Sequence, residues 1–120
     1  MSELWGFEPL AGPSAGSTTS NLFSSTTVAA TGTSATAGIL PGNVTGSSQR
    51  QVQIANTTSS WAYVNFGETG SLSAATVAAG YPVAPGGVVV VTVAPDVSGC
   101  SVILTSGGSG NVIFTRGVGL

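Results

Sequence analysis

The side chains able to do acid–base, nucleophilic or metal chemistry are few enough to take one by one. They are four carboxylates (Glu3, Glu8, Glu68, Asp96), two guanidiniums (Arg50, Arg116) and one thiol (Cys100), and the chain has no Lys and no His. Proton transfer in catalysis falls most often to His, and a Ser or Thr nucleophile needs a neighbouring base. A glycosidase needs two opposed carboxylates. Glu68 and Asp96 could meet in a fold, but both stand in turn sequences, where solvated turn residues are the simpler reading. One Cys without His cannot make a Cys/His metal cluster, and no loop holds the several carboxylates calcium requires. The residue types therefore point away from an enzyme, and no cofactor or metal is expected.

Other segments with a chemical look reduce to structure in the same way. Cys100 is alone, so no intrachain disulfide forms, and beside Ser101-Val102-Ile103-Leu104 it reads as a small buried hydrophobe. Gly107-Gly108-Ser109-Gly110 lacks the Lys and the following helix of a phosphate loop and reads as a hairpin turn. Trp61, Tyr63 and Phe66 could stack on a base or a sugar. In a chain with few large side chains they read first as core aromatics. Asn43-Val44-Thr45 and Asn56-Thr57-Thr58 match the glycosylation sequon and read as chance in a Thr-rich chain.

Composition narrows the partners. Charged residues make up 5% of the chain against a usual share of about 25%. Two separated Arg cannot neutralise a run of phosphates, so neither nucleic acid nor an anionic membrane surface is expected as a partner. At 42% hydrophobic the chain is too apolar for ordinary disorder. A surface of Ser, Thr, Gly and Asn with so little charge suits packing against other subunits better than life as a free monomer. Met1-Ser2-Glu3-Leu4-Trp5-Gly6 has an acidic residue where a secretion signal has basic ones, and no apolar run is long enough to span a bilayer.

The elements expected to carry these residues are strands. Arg50-Gln51-Val52-Gln53-Ile54-Ala55-Asn56 alternates polar and apolar, as a half-buried strand does. Trp61–Phe66 is an aromatic-rich strand, Ser71–Val77 a weaker one, and Gly80–Gly87 a loop. Val88–Val93 is a β-branched run too short for a helix. Exposed on an edge it would invite aggregation, so it is expected to be internal or covered. Ser101–Thr105 and Asn111–Arg116 complete six strands at regular spacing. That pattern predicts an all-β fold, an antiparallel β-sandwich of jelly-roll or immunoglobulin-like type. The sandwich domain is expected over residues 50–120. Residues 1–49 read as an extended N-terminal arm with one candidate strand at 26–31 and a turn at Ile39-Leu40-Pro41-Gly42. The arm's large apolar residues, Trp5, Phe7, Leu10, Leu22 and Phe23, stand among Gly and Pro without a helical or strand period. They are expected to be partner-binding anchors.

Five segments taken in order resemble a known group. These are Arg50–Asn56, Trp61-Ala62-Tyr63-Val64-Asn65-Phe66-Gly67, Ala79-Gly80-Tyr81-Pro82-Val83, Gly86–Val93 and the terminal Thr115-Arg116-Gly117-Val118-Gly119-Leu120. Together they are similar to a module of capsid decoration (cement) proteins and related auxiliary head proteins of tailed bacteriophages. The resemblance covers residues 50–120 and its motifs are structural. It implies a non-catalytic virion protein, made in the host cytoplasm and bound to the outer surface of the head. Its partners would be the major capsid protein and further copies of itself, as a homo-dimer or homo-trimer. A receptor- or carbohydrate-binding β-module of a phage fibre or tail is the alternative the sequence leaves open.

Overall fold

The computed structural model describes residues 7–9, 25–40, 51–94 and 97–119. Nine strands follow in chain order: β1 (Phe7–Pro9), β2 (Ser25–Thr31), β3 (Thr36–Ile39), β4 (Gln51–Asn56), β5 (Ala62–Gly67), β6 (Tyr81–Val83), β7 (Val88–Thr92), β8 (Gly99–Leu104) and β9 (Ser109–Gly119). No helix occurs among the described residues. The strands form two antiparallel sheets.

In the first sheet the rows run β2–β9–β4–β7, and β1 continues the row of β2. β2 pairs with Ser109–Thr115 of β9, and β1 takes the next stretch of the same edge, Gly117–Gly119. The second sheet runs β3–β8–β5–β6. The partners are nested: β5 pairs with β6, β4 with β7, β3 with β8 and β2 with β9. Among the described residues successive strands mostly change sheet, and only β5 and β6 are consecutive neighbours.

Alternation along each strand builds one core between the sheets. Val52 and Ile54 of β4, Val112 and Phe114 of β9 and Val28 of β2 face Val64 of β5, Val83 of β6 and Cys100, Val102 and Leu104 of β8. Burying each such side chain contributes about 1.5–3 kcal/mol. Phe66 closes one end with an edge-to-face contact on Phe114, ring centroids 6.0 Å apart at 89°. Two facing sheets over one core make a sandwich-like, all-β arrangement.

Several expectations change. Residues 25–40, assigned from sequence to the arm, form β2 and β3 and are members of the two sheets. Ile39 ends β3, and the rest of the turn expected at 39–42 lies outside the described residues beyond Leu40. The strand expected over 71–77 is absent. That stretch belongs to a loop over the second sheet, held by Ala75 N–H to Ser101 Oγ at 3.0 Å and Asn65 Nδ2 to Ser73 O at 2.9 Å. Tyr81-Pro82-Val83, read as loop, is an edge strand, a place where Pro is tolerated. Thr105–Gly108 is a turn, with Gly107 at φ +86° and Gly108 N–H on Thr105 O, but it is not a hairpin. It carries the chain from β8 in one sheet to β9 in the other. The valine run is the most consequential change: β7 is an edge strand, not an internal one.

Candidate interaction surface

The valine run reads along β7 as a regular alternation. Val89 and Val91 pack on the core, while Val88 and Val90 face outward, 56% and 41% exposed. The neighbouring outward residues of the same face are uncharged throughout: Gln51, Gln53 and Ala55 on β4, then Asn111, Ile113 and Thr115 on β9. The nearer edge of the second sheet, β6, opens with Tyr81, 48% exposed. β6 and β7 barely touch. A cavity of about 510 Å³ lies along this flank, lined among others by Asn65, Phe66, Tyr81, Thr92 and Ala94.

Buried polar side chains hold the chain at both ends of β7. Asn56, 1% exposed, ends β4 and points its amide into the link before β7. Its Nδ2 donates to Ser60 O (2.8 Å), Val83 O (3.0 Å) and Ala84 O (3.1 Å), one hydrogen being shared. Its Oδ1 accepts from Thr58 N–H (3.0 Å) and Thr58 Oγ1 (2.7 Å). The link itself is a Pro85-Gly86 turn, Gly86 at φ +71°, closed by Gly87 N–H on Ala84 O at 2.8 Å. At the other end, Arg116 of β9 is 2% exposed, and its Nη2 donates to Val97 O at 2.8 Å in the link between β7 and β8. Burial lowers the Arg116 pKa from its ordinary value.

The opposite flank is built by contact. Thr26 Oγ1 of β2 donates to Ile39 O of β3 at 2.8 Å. Gly38 lets the strands close in, since a Cβ there would stand 2.7 Å from Val28 Cγ2 and 3.3 Å from Cys100 Sγ. Burial pushes the Cys100 thiol up to about 11, against a smaller lowering by the Gly38 backbone. The thiol is thus a protonated core group at neutral pH. Outside this flank, Ala37, Ile39, Leu72 and Ala74 line an apolar concavity of about 340 Å³.

The residues singled out from sequence are placed unevenly. Of the five arm anchors only Phe7 is among the described residues, and its backbone pairs with Gly119 of the same chain. Trp5, Leu10, Leu22 and Phe23 lie outside them. Of the three aromatics expected in the core, Phe66 packs on it, Tyr63 is half-buried and Trp61 is 45% exposed. Asn56 is too buried and too fully engaged to accept a glycan in the folded chain, and Asn43 is outside the described residues. Glu68 is described, and Asp96 is not. Among the described residues no cluster of His, Cys, Asp or Glu could hold a metal ion, and no helix is long and apolar enough to cross a membrane.

Sequence reasoning missed the pins. Arg116 looked like one of two scattered cations, and its place on the inward face follows only from the register Val112, Phe114, Arg116. Asn56 had a clearer signal, as an Asn ending an alternating strand at an apolar position. No family model, curated protein or solved structure matches this chain.

Proposed function

We propose that this chain is a non-catalytic structural protein of a virus particle, a jelly-roll decoration protein bound to the outside of a tailed-phage head. The observation that carries the reading is the nested pairing of β2 with β9, β3 with β8, β4 with β7 and β5 with β6. It is the path of one long hairpin wound over itself across two sheets, which fits a jelly roll, an architecture of viral capsid and lectin domains. An immunoglobulin-like sandwich would place more consecutive strands side by side. The uncharged outer face of the first sheet and the apolar β7 edge support attachment to other subunits, namely the major capsid protein and further copies of the chain. The anchors Trp5, Leu10, Leu22 and Phe23 would add contacts to the shell.

The test is co-sedimentation of the purified chain with undecorated heads, before and after expansion, followed by cryo-EM of the pellet. Stoichiometric binding to the expanded shell is expected, reduced when residues 1–24 are deleted. No binding to either form at tens of micromolar overturns the reading. One observation favours a second reading: Tyr81 stands 48% exposed at a strand position on the open flank. An exposed aromatic face suits stacking on a sugar ring, as in a carbohydrate-binding module. A glycan array on which binding disappears with Tyr81→Ala would establish it.

A further inference from the structure

Among the described residues β7 pairs with β4 alone, and that pairing sets which of its backbone groups face outward. Asn56 N–H donates to Gly87 O at 2.9 Å, just ahead of the pairs Ala55↔Val88 through Gln51↔Thr92. In an antiparallel ladder hydrogen-bonded and non-bonded pairs alternate. The Gly87 carbonyl and the backbone groups of Val89 and Val91 therefore turn toward β4. Val88, Val90 and Thr92 turn theirs outward, and the same three side chains lie on the exposed face.

Proteins usually blunt such an edge with charge, Pro or a bulge, or keep it short. Among the described residues the edges of the second sheet are short, and β2 lies against β3. β6 has three residues and a Pro, β3 has four with a Gly, and β2 is closed against β3 by the Thr26 hydroxyl. β7 carries no charge and no Pro, and the links at both its ends are pinned by Asn56 and Arg116. An edge whose flanking links are held in this way loses little freedom when it acquires a neighbour.

We infer that the β7 edge is a homodimer interface, in which a second copy adds its own β7 antiparallel about a two-fold axis at Val90. This deepens the homo-oligomer part of the reading above and rests on that part alone. The occupant follows from self-complementarity. Val90 meets Val90 and Val88 meets Thr92, all of them outward-bonding residues, so the three pairs exchange two N–H···O bonds each. Val and Thr have the same branched shape, and on the shared face no charge opposes another. The result is one continuous sheet across two copies. A single five-residue edge buries less than the roughly 1,000 Å² of a stable interface, so the dimer is weak and concentration-dependent.

Amide hydrogen exchange on the full chain, with sedimentation velocity across the same concentrations, tests this. In dilute solution Val89 and Val91 are protected and Val88, Val90 and Thr92 exchange fast. When nine-tenths of the chain is dimeric the even-numbered amides slow by roughly tenfold. Val90→Lys places like charges opposite each other, and Val90→Pro removes one outward N–H at an edge position where Pro is tolerated. Both variants are expected to weaken dimerisation by more than about tenfold. Should either fail to fold, the wild-type exchange pattern still decides. The inference is overturned by a monomer at all concentrations, by a dimer whose even-numbered amides stay fast, or by even-numbered amides already protected at high dilution. Protection that appears only when heads are added assigns the edge to the shell, and equally overturns a second copy. The measurement needs no heads, so it stands or falls separately from the decoration reading.

Discussion

The two flanks of this molecule solve one problem in opposite ways. Where β2 meets β3, the sheets are drawn together by a four-residue link, the Thr26 hydroxyl on Ile39 O, and Val28 and Cys100 packed against Gly38. Where β6 meets β7, the sheets stay apart, and the links around β7 are held instead by two buried polar side chains, Asn56 and Arg116. The first flank uses its edge groups within the chain. The second leaves an apolar edge presented and firm. A buried polar group is costly unless its hydrogen bonds are made, so the open flank should be the more sensitive to single substitutions, although it makes fewer contacts.

The largest effect is expected at Asn56. Asn56→Ala removes the side-chain donor from the buried Val83 carbonyl and the acceptor from Thr58 N–H, and it takes one of two donors from the carbonyls of Ser60 and Ala84. At 1–3 kcal/mol for a buried unsatisfied group, partly relieved by water, the loss is about 3–5 kcal/mol. Thermal unfolding should fall by more than about 10 °C. Asn56→Asp keeps the accepting oxygen but loses the donors and should cost nearly as much. A change below about 1 kcal/mol in urea melts of either variant would show that the pin does not hold the open flank.

Arg116 comes next. Arg116→Ala opens a cavity under the β7–β8 link and orphans Val97 O, at about 2–4 kcal/mol. Arg116→Met returns most of the stem volume and should recover about half of that. Exchange should quicken first in β7. If β2 and β3 loosen instead, the two flanks are not independent.

Alkaline pH tests the closed flank through Cys100. The thiol is raised from an ordinary 9.0 to about 11 in the folded chain. The unfolded chain therefore ionises first, and the stability this group gives is complete below pH 9 and is lost as pH rises toward 11. Two pH units correspond to about 2–3 kcal/mol at most. Cys100→Ala should flatten that alkaline decline in melts taken from pH 8 to 11, at the cost of a small cavity. An unchanged decline assigns it to other groups.

Much of the fold was legible because alternation is a local signal. Gln51–Asn56 and Asn111–Arg116 announce their inward faces residue by residue, and they became β4 and most of β9. The order of strands in a sheet leaves no such mark. Val88–Val93 is as β-branched as a central strand, and nothing within it says that only one side is paired. Pro82 hid β6, because an edge strand and a loop share the same residues. Ser71–Val77 alternates enough to read as a strand, yet the second sheet has no free row there, and the segment lies across its face. The candidate surface was legible only as a worry about an exposed valine edge. Its pins depend on register and on long-range partners, Asn56 with Ala84 and Arg116 with Val97.

The smallest expected effect gives the sharpest contrast. Thr26→Val keeps the branched shape and removes the hydroxyl that joins β2 to β3. The bond is solvent-exposed, so water can take over the Ile39 carbonyl, and the loss should be about 0.5–1 kcal/mol, a fall of a few degrees in Tm. If the closed flank is closed by packing as well as by this bond, β2 and β3 stay together and self-association is unchanged. If the hydroxyl is what keeps the β2 edge occupied, the variant gains a second sticky edge. Light scattering would then rise with concentration beyond a dimer, as a chain with two open edges grows into longer assemblies. A variant that associates as the wild type does, while Val90→Lys abolishes association, would place the assembling edge on β7 alone.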